Sequence, residues 1–335
     1  MPAPVIPHAP RSVRLGLGMH SFGEHWRAAK DRHPAASFHD ALSFLQYARR
    51  EGADGVQVAL GSPDASLARA LRAEQDEHGL YLEAQTPLPF SESELPRFRR
   101  DLDFAVTCGA RVVRTAALSG RRYETFASLA DYEQFKESSW LALQRAEREA
   151  KKAGILLAIE NHKDWLADEL VSWISQLASD HAGVCVDTGN NIALLEDPYE
   201  VIDKLAPFAT SVHLKDMGVK KSGDGFLLSE VPLGEGTLDL GRVAATLLKA
   251  NPRLRLNIEM ITRNPLSVPC LLPRYWETFP RRPARDLARA LGGVERWQSK
   301  ESLPSVEGLS FEDRLQFEAR NVSLCLSKGR TLWRG

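Results

Sequence analysis

Residues 156–165 read LLAIENHKDW, an apolar strand-forming run that ends directly on a carboxylate, an amide and an imidazole. Burying an unpaired carboxylate costs several kcal/mol or shifts its pKa until it is neutral. A buried strand that delivers Glu160 therefore delivers it to a cation or a proton donor. The same form recurs along the chain: VRLGLGM at 13–19, GVQVAL at 55–60, LYLEAQ at 80–85, RVVRTAA at 111–117, GVCVDT at 183–188, TSVHLK at 210–215 and LRLNIEM at 254–260. Between these runs lie longer charge-rich amphipathic segments. Two of them, FHDALSFLQYARREG and YEQFKESSWLALQRAEREAKKAG, close on Gly52 and Gly154, as helices commonly do.

Eight strands with intervening helices in ~250 residues predict an α/β fold, a (β/α)8 TIM barrel, over 12–262. The first strand–helix turn lacks G-x-G-x-x-G, so a dinucleotide-binding sheet has no support. After Met260 the rhythm breaks. Residues 263–335 carry prolines at 265, 269, 273, 280, 283 and 304, then weaker helical periodicity in RDLARALGG and FEDRLQFEARNVSLCLSKG. They are expected to form a C-terminal extension packed on the barrel, shaping the pocket or an oligomer contact; a homo-oligomer is compatible with this.

Charge and composition exclude several function classes. With 43 Lys plus Arg against 44 Asp plus Glu, nothing points to nucleic acid or an anionic membrane. The start MPAPVIPHAPRS has no apolar signal core, and no apolar run approaches the ~18 residues needed to span a bilayer. The four cysteines, Cys108, Cys185, Cys270 and Cys325, are far apart and form no Cys-x-x-Cys, so a cytoplasmic location is expected.

Glu160 ends the fifth strand, Asp187 the sixth, His213 lies late in the seventh and Glu259 ends the eighth. Side chains alternate along a strand, so Glu160 shares a face with Ala158, Asp187 with Cys185 and Glu259 with Asn257. The four polar groups are thus expected at the C-terminal mouth of the barrel. Three carboxylates and an imidazole held together repel one another unless a cation sits among them, and an oxygen-rich set without thiolate suits Mn2+, with Mg2+, Co2+ or Zn2+ compatible. The plainer alternative is that each residue caps a strand or pairs with an arginine at the rim.

The pieces AIENH, VDTGN, VHLKD, PLGEGTLDL and IEM together resemble the xylose-isomerase-like barrels, which include ketose 3-epimerases, hydroxypyruvate isomerase, inosose dehydratase and, more distantly, endonuclease IV. The resemblance covers roughly 12–262. It implies metal ligands at Glu160, Asp187, His213 and Glu259, with Glu160 and Glu259 as the catalytic acid/base pair. It implies a divalent-metal-dependent isomerase or epimerase acting on a small polyhydroxylated carbonyl compound through a metal-stabilised enediolate. A lyase, decarboxylase or dehydratase, on a keto-sugar acid or cyclitol is the alternative with the same metal site, and a non-catalytic sugar-binding or complex-forming barrel is a third. Two departures bear on substrate: ketose epimerases usually carry His where this chain has Asn190, and Arg beyond the seventh strand where this chain has HLKDM. The lysine favours an acidic or more oxidised substrate. Several of the histidines required by the endonuclease's trinuclear site are absent, with Gln57, Gln85 and Asn190 standing in their places.

The substrate-binding candidates are His162, Lys215, Asn190, Arg114, His20 and Gln57. Lys215 either holds a carboxylate or oxyanion in the mouth or pairs with Asp216 at the surface. His162 contacts substrate or moves a proton, or is a loop histidine bonded to backbone. For Arg114 the alternative is a rim salt bridge, and for His20 a satisfied core position. Gln57 and Gln85 bind substrate groups or one another, and Trp26 and Trp165 wall the pocket or pack.

Overall fold

The computed structural model describes residues 13–299 and 302–333; the opening stretch 1–12 lies outside them. Seven parallel strands come first: β1 (Arg14–Gly18), β2 (Gly55–Val58), β3 (Tyr81–Gln85), β4 (Val112–Thr115), β5 (Leu156–Glu160), β6 (Ala182–Asp187) and β7 (Ala209–Leu214). Two strands outside the wall follow, β8 (Asp216–Ser222) and β9 (Gly225–Val231), before β10 (Arg255–Ile258) pairs with both β7 and β1 and closes an eight-stranded barrel. The chain is a TIM barrel, with every expected strand present to within a few residues.

Local chemistry explains the alternation of strand and helix. Asp40 caps the helix Ala41–Arg50 by accepting from Ser43 N, and Ser128 does the same for Leu129–Ala153 from Asp131 N. That long helix stops at Gly154, whose φ of 68° only glycine adopts without strain. Outward-facing strand residues such as Leu17, Val58, Ile159, Val186, Leu214 and Ile258 are buried beneath the helices in one continuous core. Inside the barrel, Val112, Ala158 and Cys185 make a small apolar plug.

The stretch 218–236, which carries no strand signal in the alternation above, holds most of a β-hairpin. Gly223 and Asp224 form its two-residue turn, and β8 pairs antiparallel with β9 from Asp216↔Val231 to Ser222↔Gly225. A short strand from the C-terminal region, β11 (Leu266–Val268), adds to β9. One face of this sheet places Met217, Val219, Phe226, Leu228 and Val268 in a second core with Tyr275, Phe279 and Val294. The helix Ala284–Trp297 covers it.

The final helix, Phe311–Trp333, returns to the start of the barrel. Glu318 on it accepts hydrogen bonds from the backbone amides of Glu24 (2.7 Å) and His25 (3.1 Å) and lies 3.1 Å from His25 Nδ1. It thereby satisfies free N–H groups at the first turn of the helix Gly23–Lys30. None of the helices among the described residues is long and apolar enough to cross a membrane.

Glu318→Ala leaves these buried donors without an acceptor. The expected cost is about 2–3 kcal/mol of unfolding free energy in urea titration, with metal content unchanged.

Candidate metal centre

Register brings the strand ends together. Asp187 pairs across the wall with His213, His213 with Asn257, and Glu160 with Cys185, so β5, β6, β7 and β10 present consecutive polar groups at one end. Glu160, Asp187, His213 and Glu259 are all buried, and one ligand atom from each lies within 4.8 Å of the others. His213 Nδ1 stands 3.4 Å from Glu160 Oε1, 3.4 Å from Glu259 Oε2 and 3.9 Å from Asp187 Oδ2.

Which nitrogen of His213 faces this cluster is fixed from behind. Gln57 Oε1 lies 2.6 Å from His213 Nε2, while Gln57 Nε2 donates to Glu83 Oε2 and Ser211 Oγ, both at 3.1 Å. The amide can be oriented only one way, so Nε2 carries the proton and the Nδ1 lone pair is aimed into the cluster. Glu83 Oε2 also accepts from Ser211 Oγ (2.6 Å) and Asn257 Nδ2 (3.0 Å), and Asn257 Oδ1 accepts from Tyr81 Oη (2.8 Å). Gly16 leaves the space Tyr81 needs to reach into the barrel.

The donor set fits a divalent cation. His213 Nδ1 is buried and makes no hydrogen bond, and Asp187 Oδ2 is buried with the Lys215 ammonium 2.9 Å away but no hydrogen bond of its own. Asp187 is oriented by its other oxygen, which accepts from Gly189 N (2.9 Å) and Asn190 N (2.8 Å). Cys185 is no competing ligand, since burial pushes its thiol up and keeps it protonated. Burial alone would disfavour a charged His213, but the carboxylates of Glu259 and Glu160 raise its imidazole well above the usual value. The cluster attracts positive charge, and metal and proton compete for the same nitrogen.

Side-chain cations already balance the carboxylates. Arg114 Nε donates to Glu160 Oε2 (2.6 Å), and Asn190 Nδ2 donates to Glu160 Oε1 (3.1 Å). Lys215 Nζ lies 2.7 Å from Glu259 Oε2 and 2.9 Å from Asp187 Oδ2. Burial would raise the Glu160 and Glu259 carboxyls; Arg114 and His213 hold the first well below the usual range, and His213 and Lys215 the second. Asp187 is pushed up by its burial despite Lys215.

The surface-pair alternative for Lys215 is overturned. Lys215 is buried, and Asp216 instead accepts from the backbone amides of Met217, Gly234, Gly236 and Leu238 at 2.9–3.1 Å. That carboxylate ties down the PLGEGTLDL turn, and a side chain at Gly236 would collide with it. His162 is half-buried with no partner on Nδ1, and burial together with Lys163 pushes its imidazole down to about 3, so it is neutral. His20 is exposed just beyond β1. Gln57 is committed to His213 and Glu83, and Gln85 Nε2 approaches Met19 Sδ (2.7 Å), so the two glutamines do not bind each other. Trp165 is fully buried against Phe135 and Trp173, and Trp26 packs on Phe38 and Phe44; both pack rather than wall a pocket.

Three charged residues of the site escaped sequence reading. Lys163 is buried and donates to Asn190 Oδ1. Glu230, on β9, pairs with Arg263 (2.6 Å) and lies 3.7 Å from Lys215. Lys163 follows the end of β5, where alternation no longer assigns a face, and Glu230 sits in the hairpin that had the look of a loop. Only the density of charge in KDW and SEV could have marked them.

His213→Ala is expected to strip the metal while leaving the fold, and an H213A protein with full metal content by elemental analysis would refute the ligand set. Gln57→Leu, which touches no proposed ligand oxygen, is expected to weaken metal affinity about 10–100-fold in competition titrations with a chelator, because the imidazole loses its orienting acceptor.

A family model described as xylose isomerase-like TIM barrel matches residues 45–291. A 3-oxo-isoapionate decarboxylase of Pectobacterium atrosepticum is 26% identical over 172 residues, 47% of this chain and 62% of that protein; the match spans less than two thirds of that relative. A xylose isomerase-like TIM barrel protein from Mycobacterium smegmatis, solved in complex with magnesium, superposes with a TM-score of 0.56 at 18% identity, covering 84% of this chain and 97% of the other. D-psicose 3-epimerase, solved in the presence of D-fructose, gives a TM-score of 0.60 at 16% identity over 96% of this chain and 100% of its own. The two solved structures speak to the fold, and the family model, covering most of the barrel together with its ligand-bearing strands, speaks to descent: this chain belongs to the xylose isomerase-like TIM barrel family.

Proposed function

We propose that the chain is a divalent-metal-dependent isomerase or epimerase of a small sugar-derived carbonyl compound, with Mn2+ as the expected ion. The observation that carries this reading is the convergence of four buried donor atoms within 4.8 Å, one of them an imidazole nitrogen fixed from behind by Gln57. A divalent ion held by Glu160, Asp187, His213 and Glu259 would supply Lewis acidity to the substrate's carbonyl group, which acidifies the C–H on the carbon beside it.

The protein's own groups then move the proton. β6 and β7 stand between β5 and β10 in the wall, so Glu160 and Glu259 come from the two flanks of the ligand set. That separation suits removal of a proton on one face of a planar enediolate and its return on the other. Arg114 and Lys215, held against these carboxylates, keep them ionised and ready to act as bases. His20 and neutral His162 are available to the substrate's hydroxyls.

A decarboxylase acting on a keto-sugar acid is the second reading, supported by the activity named for the Pectobacterium relative. It would use the same ligands and require the same enediolate to be protonated after CO2 leaves. The four cysteines are free and buried, which suits the reducing cytoplasm in which we place this chemistry.

Incubating the Mn2+-loaded protein in D2O with ketoses, keto-sugar acids and cyclitol ketones separates these readings. Deuterium gain beside the carbonyl at constant carbon skeleton is expected for the isomerase or epimerase, whereas release of CO2 or water selects the lyase. Product without solvent deuterium would refute the two-glutamate proton transfer. Glu160→Gln and Glu259→Gln are each expected to lower turnover ~10²–10⁴-fold.

A further inference from the structure

Lys163 is unlike the other cations of the site. It is 2% exposed, yet no carboxylate among the described residues lies within ion-pair distance of its ammonium. Its hydrogen bond goes to Asn190 Oδ1, a neutral amide oxygen that also accepts from Lys215 Nζ at 3.3 Å. A buried ammonium without a counter-charge is costly, and a second ammonium on the same oxygen adds repulsion. Burial first, and Lys215 next, accordingly lower the Lys163 ammonium to about 8.

The surrounding charges relieve it only in part, since Glu230 and Asp187 favour its charged form but neither forms an ion pair with it. Glu160 is paired with Arg114, Asp187 and Glu259 with Lys215, and Glu230 with Arg263. Asp164, next in sequence, is pushed up to about 8 by its burial and is mostly protonated at neutral pH. Each of the paired carboxylates thus already has a cation beside it, with Lys215 shared between two of them. A divalent ion adds two positive charges, and it also engages the Asp187 and Glu259 oxygens that now neutralise Lys215. The loaded site would therefore hold more positive charge around Lys163 than the metal-free site does.

We propose that Lys163, with Asn190 and Lys215 beside it, seats a carboxylate carried by the substrate, so that the enzyme acts on a sugar-derived acid rather than a neutral ketose. This assignment rests on the metal-dependent reading above for its chemistry, but the unpaired Lys163 belongs to the chain itself. A carboxylate suits the geometry better than a phosphate, because two ammoniums on one shared amide offer no guanidinium fork or backbone-amide nest for a three-oxygen dianion.

The test uses matched pairs that lack a carbonyl and do not turn over: glycolate with ethylene glycol, D-glycerate with glycerol, and D-gluconate with D-glucitol. Calorimetric titration of the Mn2+-loaded protein is expected to show at least about tenfold tighter binding of the acid in the pairs that bind. Hydroxy acids also chelate metal, so the decisive comparison is Lys163→Met, which is expected to remove most of the preference while leaving metal content and alcohol affinity intact. The metal-free protein is titrated in parallel, with metal content read by elemental analysis. An acid preference that persists there and vanishes in K163M supports the subsite even if the metal reading fails. Failure of all three acids to bind, equal binding of acid and alcohol, or an undiminished preference in a folded K163M protein would overturn the subsite. Tighter binding of glycerol 3-phosphate than of D-glycerate would reassign it to phosphate and overturn it equally.

Discussion

Three buried carboxylates and a buried imidazole held within 4.8 Å are the constraint on which the rest of this structure depends. In a medium of low effective dielectric their repulsion is not screened, so the fold has to bring positive charge to them. It does so at three levels: a proton favoured on His213, the side chains Arg114 and Lys215 laid against the carboxylates, and a donor geometry suited to a divalent ion. The first two keep the folded protein tolerable without metal. The third is what the proposed metal-dependent chemistry draws on.

The barrel solves the positioning problem beneath the ligands as well as at them. Below His213 lies a buried polar layer of Gln57, Glu83, Ser211, Asn257 and Tyr81, each bonded to another member of the layer. A barrel interior filled only with aliphatic side chains would pack as well but would leave the imidazole free to rotate. The polar layer exchanges some apolar burial for one defined tautomer, which is the property a metal ligand requires.

Much of this was legible in the sequence, and the reason is periodicity. Runs such as GVCVDT and TSVHLK announce parallel strands buried on both faces, and the polar residue ending each run marks the mouth, so both the barrel and the convergence of Glu160, Asp187, His213 and Glu259 follow from spacing. Legibility stopped where periodicity stopped. Lys163 lies just past a strand end, and Glu230 lies in a hairpin whose apolar and polar residues do not alternate cleanly because its sheet is covered by the helix Ala284–Trp297. Gln57 was visible as a polar group on β2, but its service to His213 depends on a cross-barrel contact between residues 156 positions apart, which no local pattern encodes.

The anchor formed by Glu318 also has a consequence for how the chain is made. β1 lacks its barrel neighbour β10 until residue 255 has been synthesised, and the first turn of the helix Gly23–Lys30 lacks its acceptor until residue 318 has been added. Strand β1 therefore emerges well before β10 and is completed late, its apolar residues waiting on partners synthesised much later. Strand β1, the helix Gly23–Lys30 and the helix Phe311–Trp333 are thus one structural unit whose parts are synthesised far apart in time.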